Sequence, residues 1–137
     1  MFLLAAVACN RTEKACEHAR DLMVEVWQES SKQALASAPH DQRAKLREQS
    51  AAEVELARSR FVERCVALPE LGRVCIGRMD IMVTAHREVQ AAKALCKLDE
   101  FGMPDPACIE AAQAKSKQAL MGCDSSMDAF YAELFAP

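Results

Sequence analysis

Apolar residues recur at alternating steps of three and four positions along most of the chain, which is the period of an amphipathic α-helix. Two of these patterns include a cysteine: Cys16, Ala19, Met23 and Val26 in one, and Val54, Ala57, Phe61 and Cys65 in the other. The composition agrees, since the chain has only four glycines and is rich in Ala, Leu, Glu, Lys, Arg, Gln and Met. The sequence therefore predicts an all-α protein.

Prolines, glycines and capping residues divide this pattern into five predicted helices. They cover residues 11–37, 41–68, 69–98, 106–121 and 126–135. Asp41 is a plausible N-cap for the second helix, and Gly122 ends the fourth. We expect an antiparallel helical bundle of two long α-hairpins plus a short C-terminal helix, stapled by disulfides.

A short apolar run at the N-terminus indicates export. Residues 2–8 end in Ala6-Val7-Ala8, the small-x-small form that a signal peptidase recognises, and Cys9 follows directly. Because that next residue is a cysteine, the run resembles the lipobox of bacterial lipoproteins, in which the cysteine is acylated. No Lys or Arg precedes the run and the run is short, which a start codon placed too late would explain. Two alternatives stay open: a secreted protein cleaved at the same bond, and an ordinary buried helix start.

The predicted organisation is a signal peptide over residues 1–8, truncated at its start, and a single helical domain over 9–137 that is lipid-modified at Cys9. No other segment is apolar for the ~20 residues that span a bilayer, so membrane attachment would come from lipid alone. Asn10 is not an Asp, which by analogy with lipoprotein sorting favours the outer membrane. The expected location is the periplasmic side of a bacterial cell envelope.

The cysteine count gives a second indication of export. The chain has seven cysteines, and setting Cys9 aside for the lipid leaves an even number that can pair in three disulfides. No C-x-x-C pair is present, which argues against structural zinc, thioredoxin-like redox chemistry and haem attachment.

Helix geometry suggests which cysteines pair. In a hairpin of the first two helices, Cys16 and Cys65 lie at levels that differ by only ~3 Å at 1.5 Å per residue, so we pair them. Cys96 and Cys108 flank the loop between the third and fourth helices, and their bond would close that loop.

Cys75 is then left for Cys123. In straight helices their levels differ by about 9 Å, which exceeds the ~7 Å separation of Cα atoms that a disulfide allows. Gly122 supplies a helix break that brings Cys123 closer, and Gly72 or Gly77 could shorten the third helix from the other side. A competing pairing joins Cys65 to Cys75 and Cys16 to Cys123, and the sequence alone does not decide between the two.

Histidines and methionines are the remaining candidates for chemistry. His18 and His40 are expected to be exposed, and His86 lies at the edge of the predicted core without a partner that would make it a base. Four methionines are interpreted as residues that fill the core, in preference to a soft-metal or peptide-binding surface: Met79, Met82, Met103 and Met121. The sequence predicts no catalytic residue, no metal ligand and no cofactor. Loss of function from His86→Ala in a folded protein would direct attention to its helical face, with Met82, Val89 and Glu88.

The charge of the chain limits its partners. The net charge is -3 and both signs are mixed along the helices, which disfavours a nucleic-acid surface. No small-molecule substrate is evident. The expected partners are a membrane, reached through the lipid anchor, and another envelope protein.

One resemblance can be added to these patterns. The segment Phe61-Val62-Glu63-Arg64-Cys65, the proline turn after it and Cys75 resemble small cysteine-patterned helical lipoproteins of myxobacteria and related soil bacteria. The resemblance covers roughly the middle third of the chain, together with Cys16-Glu17-His18 and the lipobox, and it implies no catalytic residues. The expected function is a structural or interaction role, not an enzymatic one. The alternative is a periplasmic helical chaperone or stress sensor for apolar polypeptide segments, which should have an exposed apolar groove along a hairpin.

Overall fold

The computed structural model describes residues 2–120 and 122–137, and for residues 2–10 and 115 it describes the helical backbone alone. The regular elements of this part are a 3-10 helix over His40–Gln42 and the α-helices α1 (Phe2–Ser37), α2 (Arg43–Val66), α3 (Glu70–Gly77), α4 (Met79–Ala94), α5 (Pro106–Leu120) and α6 (Asp124–Leu134). An isolated bridge between Leu98 and Pro104 is the one strand-like pairing in the same residues. The prediction of an all-α protein is confirmed.

The prediction of a single helix over 69–98 is wrong. The chain leaves the helix at Arg78, whose φ of -97° and ψ of 8° separate α3 from α4, and α4 ends at Ala94. The break follows Gly77, a residue with low helix propensity. Arg78 also donates from Nη2 to the carbonyl oxygen of Ala119 at 2.9 Å, which fastens the break to the last turn of α5.

Other helix ends also differ from the predictions. α1 begins at Phe2 and not at residue 11, because the Ala and Leu residues ahead of Arg11 also favour helix. Asp41 lies within the 3-10 helix, so it is not the N-cap of α2, and α2 ends two residues before the predicted 68. α6 begins at Asp124, directly after Cys123.

Three disulfides join the helices in the predicted pairs. The Cα atoms are 5.9 Å apart in Cys16–Cys65, 5.6 Å apart in Cys75–Cys123 and 5.8 Å apart in Cys96–Cys108. The first bond ties α1 to α2, and the second ties α3 to the start of α6. The competing pairing of Cys65 with Cys75 is absent from the structure. The helix breaks at Arg78 and at Gly122, whose φ is 81°, remove the mismatch expected for straight helices.

The hydrophobic core lies where α1, α2, α3, α4 and α6 meet around the first two disulfides. Phe61 and Phe130 are its largest fully buried side chains, and their rings meet edge to face with centroids 5.0 Å apart. Beyond this core the outer halves of α1 and α2 extend as a helical pair, since no residue from 28 to 56 is buried.

Three predictions fall on residues whose side chains lie outside the described part. They are the signal peptide over 1–8, the acylation of Cys9 and the placement of Met121 in the core. Among the described residues, no helix contains an apolar stretch long enough to cross a membrane.

Candidate functional site

The most exposed large apolar side chains lie in the connection between α4 and α5. Leu95 is 85% exposed, Leu98 66%, Phe101 82% and Met103 61%. We call residues 95–103 the apolar turn. Single exposed apolar residues are common on protein surfaces, but four in nine positions form a patch that is typical of an interaction site.

The backbone of the apolar turn is held by hydrogen bonds to Asp99. Its carboxylate accepts from the backbone N–H groups of Phe101 at 2.9 Å and Met103 at 2.8 Å. The backbone N–H of Asp99 donates to the carbonyl oxygen of Met103 at 2.8 Å, and the N–H of Gly102 donates to that of Asp99 at 3.0 Å. Gly102 has a φ of 75°, which a residue with a side chain adopts only at a cost. The turn is therefore ordered although it buries little.

A disulfide closes the base of the apolar turn. Cys96 and Cys108 join the segment after α4 to the first turn of α5. Beside this bond, the N–H of Asp105 donates to the carbonyl oxygen of Lys97 at 3.2 Å, and the Asp105 carboxylate accepts from the N–H of Ala107 at 3.2 Å. Because the backbone of the turn is fixed at both its tip and its base, binding a partner costs little further backbone entropy.

Ion pairs between α1 and α4 show where the apolar turn lies. His18 Nε2 is 3.0 Å from Asp80 Oδ1, and Arg87 Nη2 is 3.3 Å from Glu25 Oε2 and 2.9 Å from Glu29 Oε1. From the first pair to the second, the residue numbers increase on both helices, so α1 and α4 run parallel. At 1.5 Å per residue, the start of the apolar turn lies roughly 35 Å further along this direction than Arg11.

The three histidines are not brought together. His18 and Asp80 are both more than half exposed, so their contact is a surface ion pair that contributes little to stability. His40 is exposed in the 3-10 helix, as predicted, and His86, predicted at the core edge, is exposed on α4. Sequence reasoning missed Asp80, because 62 residues separate it from His18 and no local pattern links them.

The predictions for the methionines are confirmed at some positions and wrong at another. Met79 and Met82 are buried in the core as predicted, but Met103 is exposed in the apolar turn, so its assignment to the core is wrong. The cause is that residues 99–105 turn back over Asp99 and do not fold under a helix.

A second surface feature is a groove of about 760 Å³ between α1 and α2. Its apolar lining consists of small and medium side chains, among them Val24, Leu35 and Val54. Charged residues from both helices lie along the same groove, including Lys32 and Arg58. The alternative function called for an exposed apolar groove along a hairpin, whereas this groove has a mixed apolar and charged lining.

Comparison of the chain with known protein families, with curated proteins and with solved structures finds no match. The resemblance to cysteine-patterned lipoproteins stays a prediction that rests on the residues quoted for it.

Proposed function

We propose that the chain is an envelope lipoprotein, anchored through an acylated Cys9, that acts by binding another envelope protein through the apolar turn. In this proposal the fold is a disulfide-stapled bundle of two helical hairpins with a short C-terminal helix, and the role is interaction and not catalysis. The three disulfides support an oxidising compartment, where such bonds persist.

The apolar turn is the observation that carries this proposal. Leaving Leu95 and Phe101 in water forgoes about 1.5–3 kcal/mol for each side chain, the free energy that burial of such a residue supplies. A disulfide and a set of hydrogen bonds to Asp99 nevertheless hold these side chains outward. A partner that covers the turn would recover that free energy, and buried aromatic and aliphatic anchors of this kind dominate most interfaces.

The position of the apolar turn suits a protein that is anchored by its N-terminus. α1 enters the core from the end at which Arg11 lies, and the turn lies at the opposite end of α4, as the ion pairs of Arg87 show. A lipid on Cys9 would hold the first end at a membrane. The turn would then face away from that membrane, toward proteins in the periplasmic space.

The anchor is tested by replacing its acceptor. If Cys9 is acylated, the full chain should fractionate with membranes and be released by detergent, because more than one acyl chain binds a bilayer stably. The variant Cys9→Ser should be recovered in the soluble fraction. Membrane association of that variant would contradict the lipoprotein part of the proposal.

The interaction is tested by cross-linking in cells that express the full chain. A photoreactive residue at position 101 should give a discrete protein adduct, whereas one at position 53, on the exposed charged surface of α2, should not. The double change Leu95→Ser and Leu98→Ser should abolish the adduct while the three disulfides still form. Equal adducts from positions 101 and 53, or an adduct that survives the double change, would contradict a role for the turn.

The groove between α1 and α2 favours a second candidate function. A helical chaperone would hold apolar polypeptide segments along Val24, Leu35 and Val54. This function predicts that the oxidised protein suppresses aggregation of a reduced client, and that Val54→Lys removes the effect. Suppression that depends on Phe101 instead would assign the activity to the apolar turn.

A further inference from the structure

Four methionine side chains line one half-open cavity of about 260 Å³ between α1, α4, α5 and α6. Met23 belongs to α1, Met79 and Met82 to α4, and Met127 to α6, and none of them is more than 8% exposed. The chain has seven methionines in all, so more than half of them meet at this one space. Met fills irregular gaps in a core, and its thioether sulfur is at the same time a soft ligand, so a space lined by four of them can also serve as a binding site.

His86 lines the same cavity. It follows Met82 by one turn of α4, so the imidazole and the thioether project from the same side of the helix. The histidine is exposed, and within the described side chains its ring makes no hydrogen bond or ion pair. A neutral imidazole with a free nitrogen lone pair is a metal ligand.

The other walls of the cavity suit a cation. Asp124 and Asp128 are one turn apart on α6 and both line the cavity, where their charge would offset a positive ion that enters an apolar space. Tyr131 donates from its hydroxyl to Sδ of Met79 at 3.9 Å. This hydrogen bond holds the sulfur at the wall of the cavity.

The ligand types decide which metal fits. Among the described residues, no three side chains of His, Cys, Asp or Glu are grouped to hold a metal ion, which disfavours zinc and the hard divalent cations. Thioethers are soft ligands that select Cu(I). They bind without losing a proton and cannot form disulfides, which suits a chain whose cysteines from Cys16 onward are all paired.

We propose that this cavity binds Cu(I) through the thioethers of Met79, Met82 and Met127 and the imidazole of His86. Binding leaves the metal in the same oxidation state and releases no thiol proton. The inference is independent of the lipid anchor and of the apolar turn.

The proposal is tested with Ag(I), a soft monovalent ion that does not change its oxidation state in air. The protein is the oxidised full chain with Cys9→Ser, since a free thiol would itself bind silver. Native mass spectrometry in chloride-free buffer should show one Ag(I) per chain, and the methyl resonances of Met82 and Met127 should shift. Competition with a Cu(I)-specific chelator should then show that Cu(I) occupies the same site.

Two variants separate ligation from folding. His86→Ala changes an exposed side chain, and Met82→Leu nearly conserves volume, so both should fold with intact disulfides and an unchanged thermal midpoint. Each should weaken Ag(I) binding at least tenfold. The matched control Met103→Leu alters a methionine in the apolar turn and should bind silver as the parent does.

Three results would overturn the proposal. They are the absence of Ag(I) binding at micromolar concentrations, binding that neither His86→Ala nor Met82→Leu weakens, and an equal loss in Met103→Leu. In the last two cases silver would be held by scattered surface groups, and the cavity would be part of the core alone.

Discussion

Phe61 and Phe101 show how burial separates two roles of one residue type. Phe61 is fully buried and packs edge to face on Phe130, with ring centroids 5.0 Å apart. Phe101 is 82% exposed at the tip of the apolar turn. The first ring therefore contributes to folding, whereas the second is available for a partner.

Replacement by alanine at these two positions should change the free energy of unfolding by very different amounts. Phe61→Ala should lower the free energy of unfolding by about 3–5 kcal/mol, because lost burial and the remaining cavity add together. Phe101→Ala should change it by less than about 0.5 kcal/mol, as is usual at the surface. Urea unfolding of both variants, with disulfides oxidised, measures the difference. A loss of similar size at Phe101 would show that the turn packs against the fold.

At the scale of the helices, local sequence was sufficient where the signal was periodic. The ends of α2 could be predicted to within two residues, and the start of α5 at Pro106 was predicted, because apolar spacing and prolines are local features. Gly77 was one of two glycines at which the third helix could shorten, but a break into two helices at Arg78 was not predicted, since the arginine is held by Ala119, 41 residues further along the chain. The outward direction of the apolar turn could not be predicted either, because it depends on which backbone N–H groups donate to the Asp99 carboxylate.

Two glycines next to helix ends offer a matched test of these breaks. A Cβ at Gly77 or at Gly122 would meet no atom within 4 Å, so neither position is crowded. Only Gly122 has a positive φ, of 81°, at which alanine is strained. Gly122→Ala should therefore lower the free energy of unfolding by about 1–2 kcal/mol, whereas Gly77→Ala should be neutral or stabilising by up to about 1 kcal/mol.

Thermal unfolding of both glycine variants checks this expectation. Equal destabilisation would mean that the break at Gly77 also needs a backbone conformation that alanine adopts only with strain. In that case the separation of α3 from α4 would have a backbone cause in addition to the bond between Arg78 and Ala119.

In the molecule as a whole, the three disulfides serve different purposes. Cys16–Cys65 and Cys75–Cys123 span 49 and 48 residues and lie in the core, with each sulfur-bearing residue at most 2% exposed. Cys96–Cys108 spans 12 residues at the base of the apolar turn, where Cys108 is partly exposed. In the chain-entropy model the long loops contribute about 4 kcal/mol each and the short loop about 3 kcal/mol. The first two bonds thus hold the fold, and the third shapes the proposed binding surface.

Mild reduction of the folded Cys9→Ser variant should therefore proceed in two stages. Cys96 and Cys108 should be alkylated first, because their bond is the one that a reductant can reach without opening the core. The other four cysteines should react only as the protein unfolds, with a large fall in the thermal midpoint, since removing native disulfides from a small domain typically costs about 2–5 kcal/mol. Peptide mapping after timed alkylation gives the order in which the cysteines react. In a second experiment, cross-linking at position 101 should fail in a Cys96→Ser, Cys108→Ser variant although its helices persist. Simultaneous labelling of all six cysteines would mean that the turn and the core open together, and that the turn is not a separately stabilised surface.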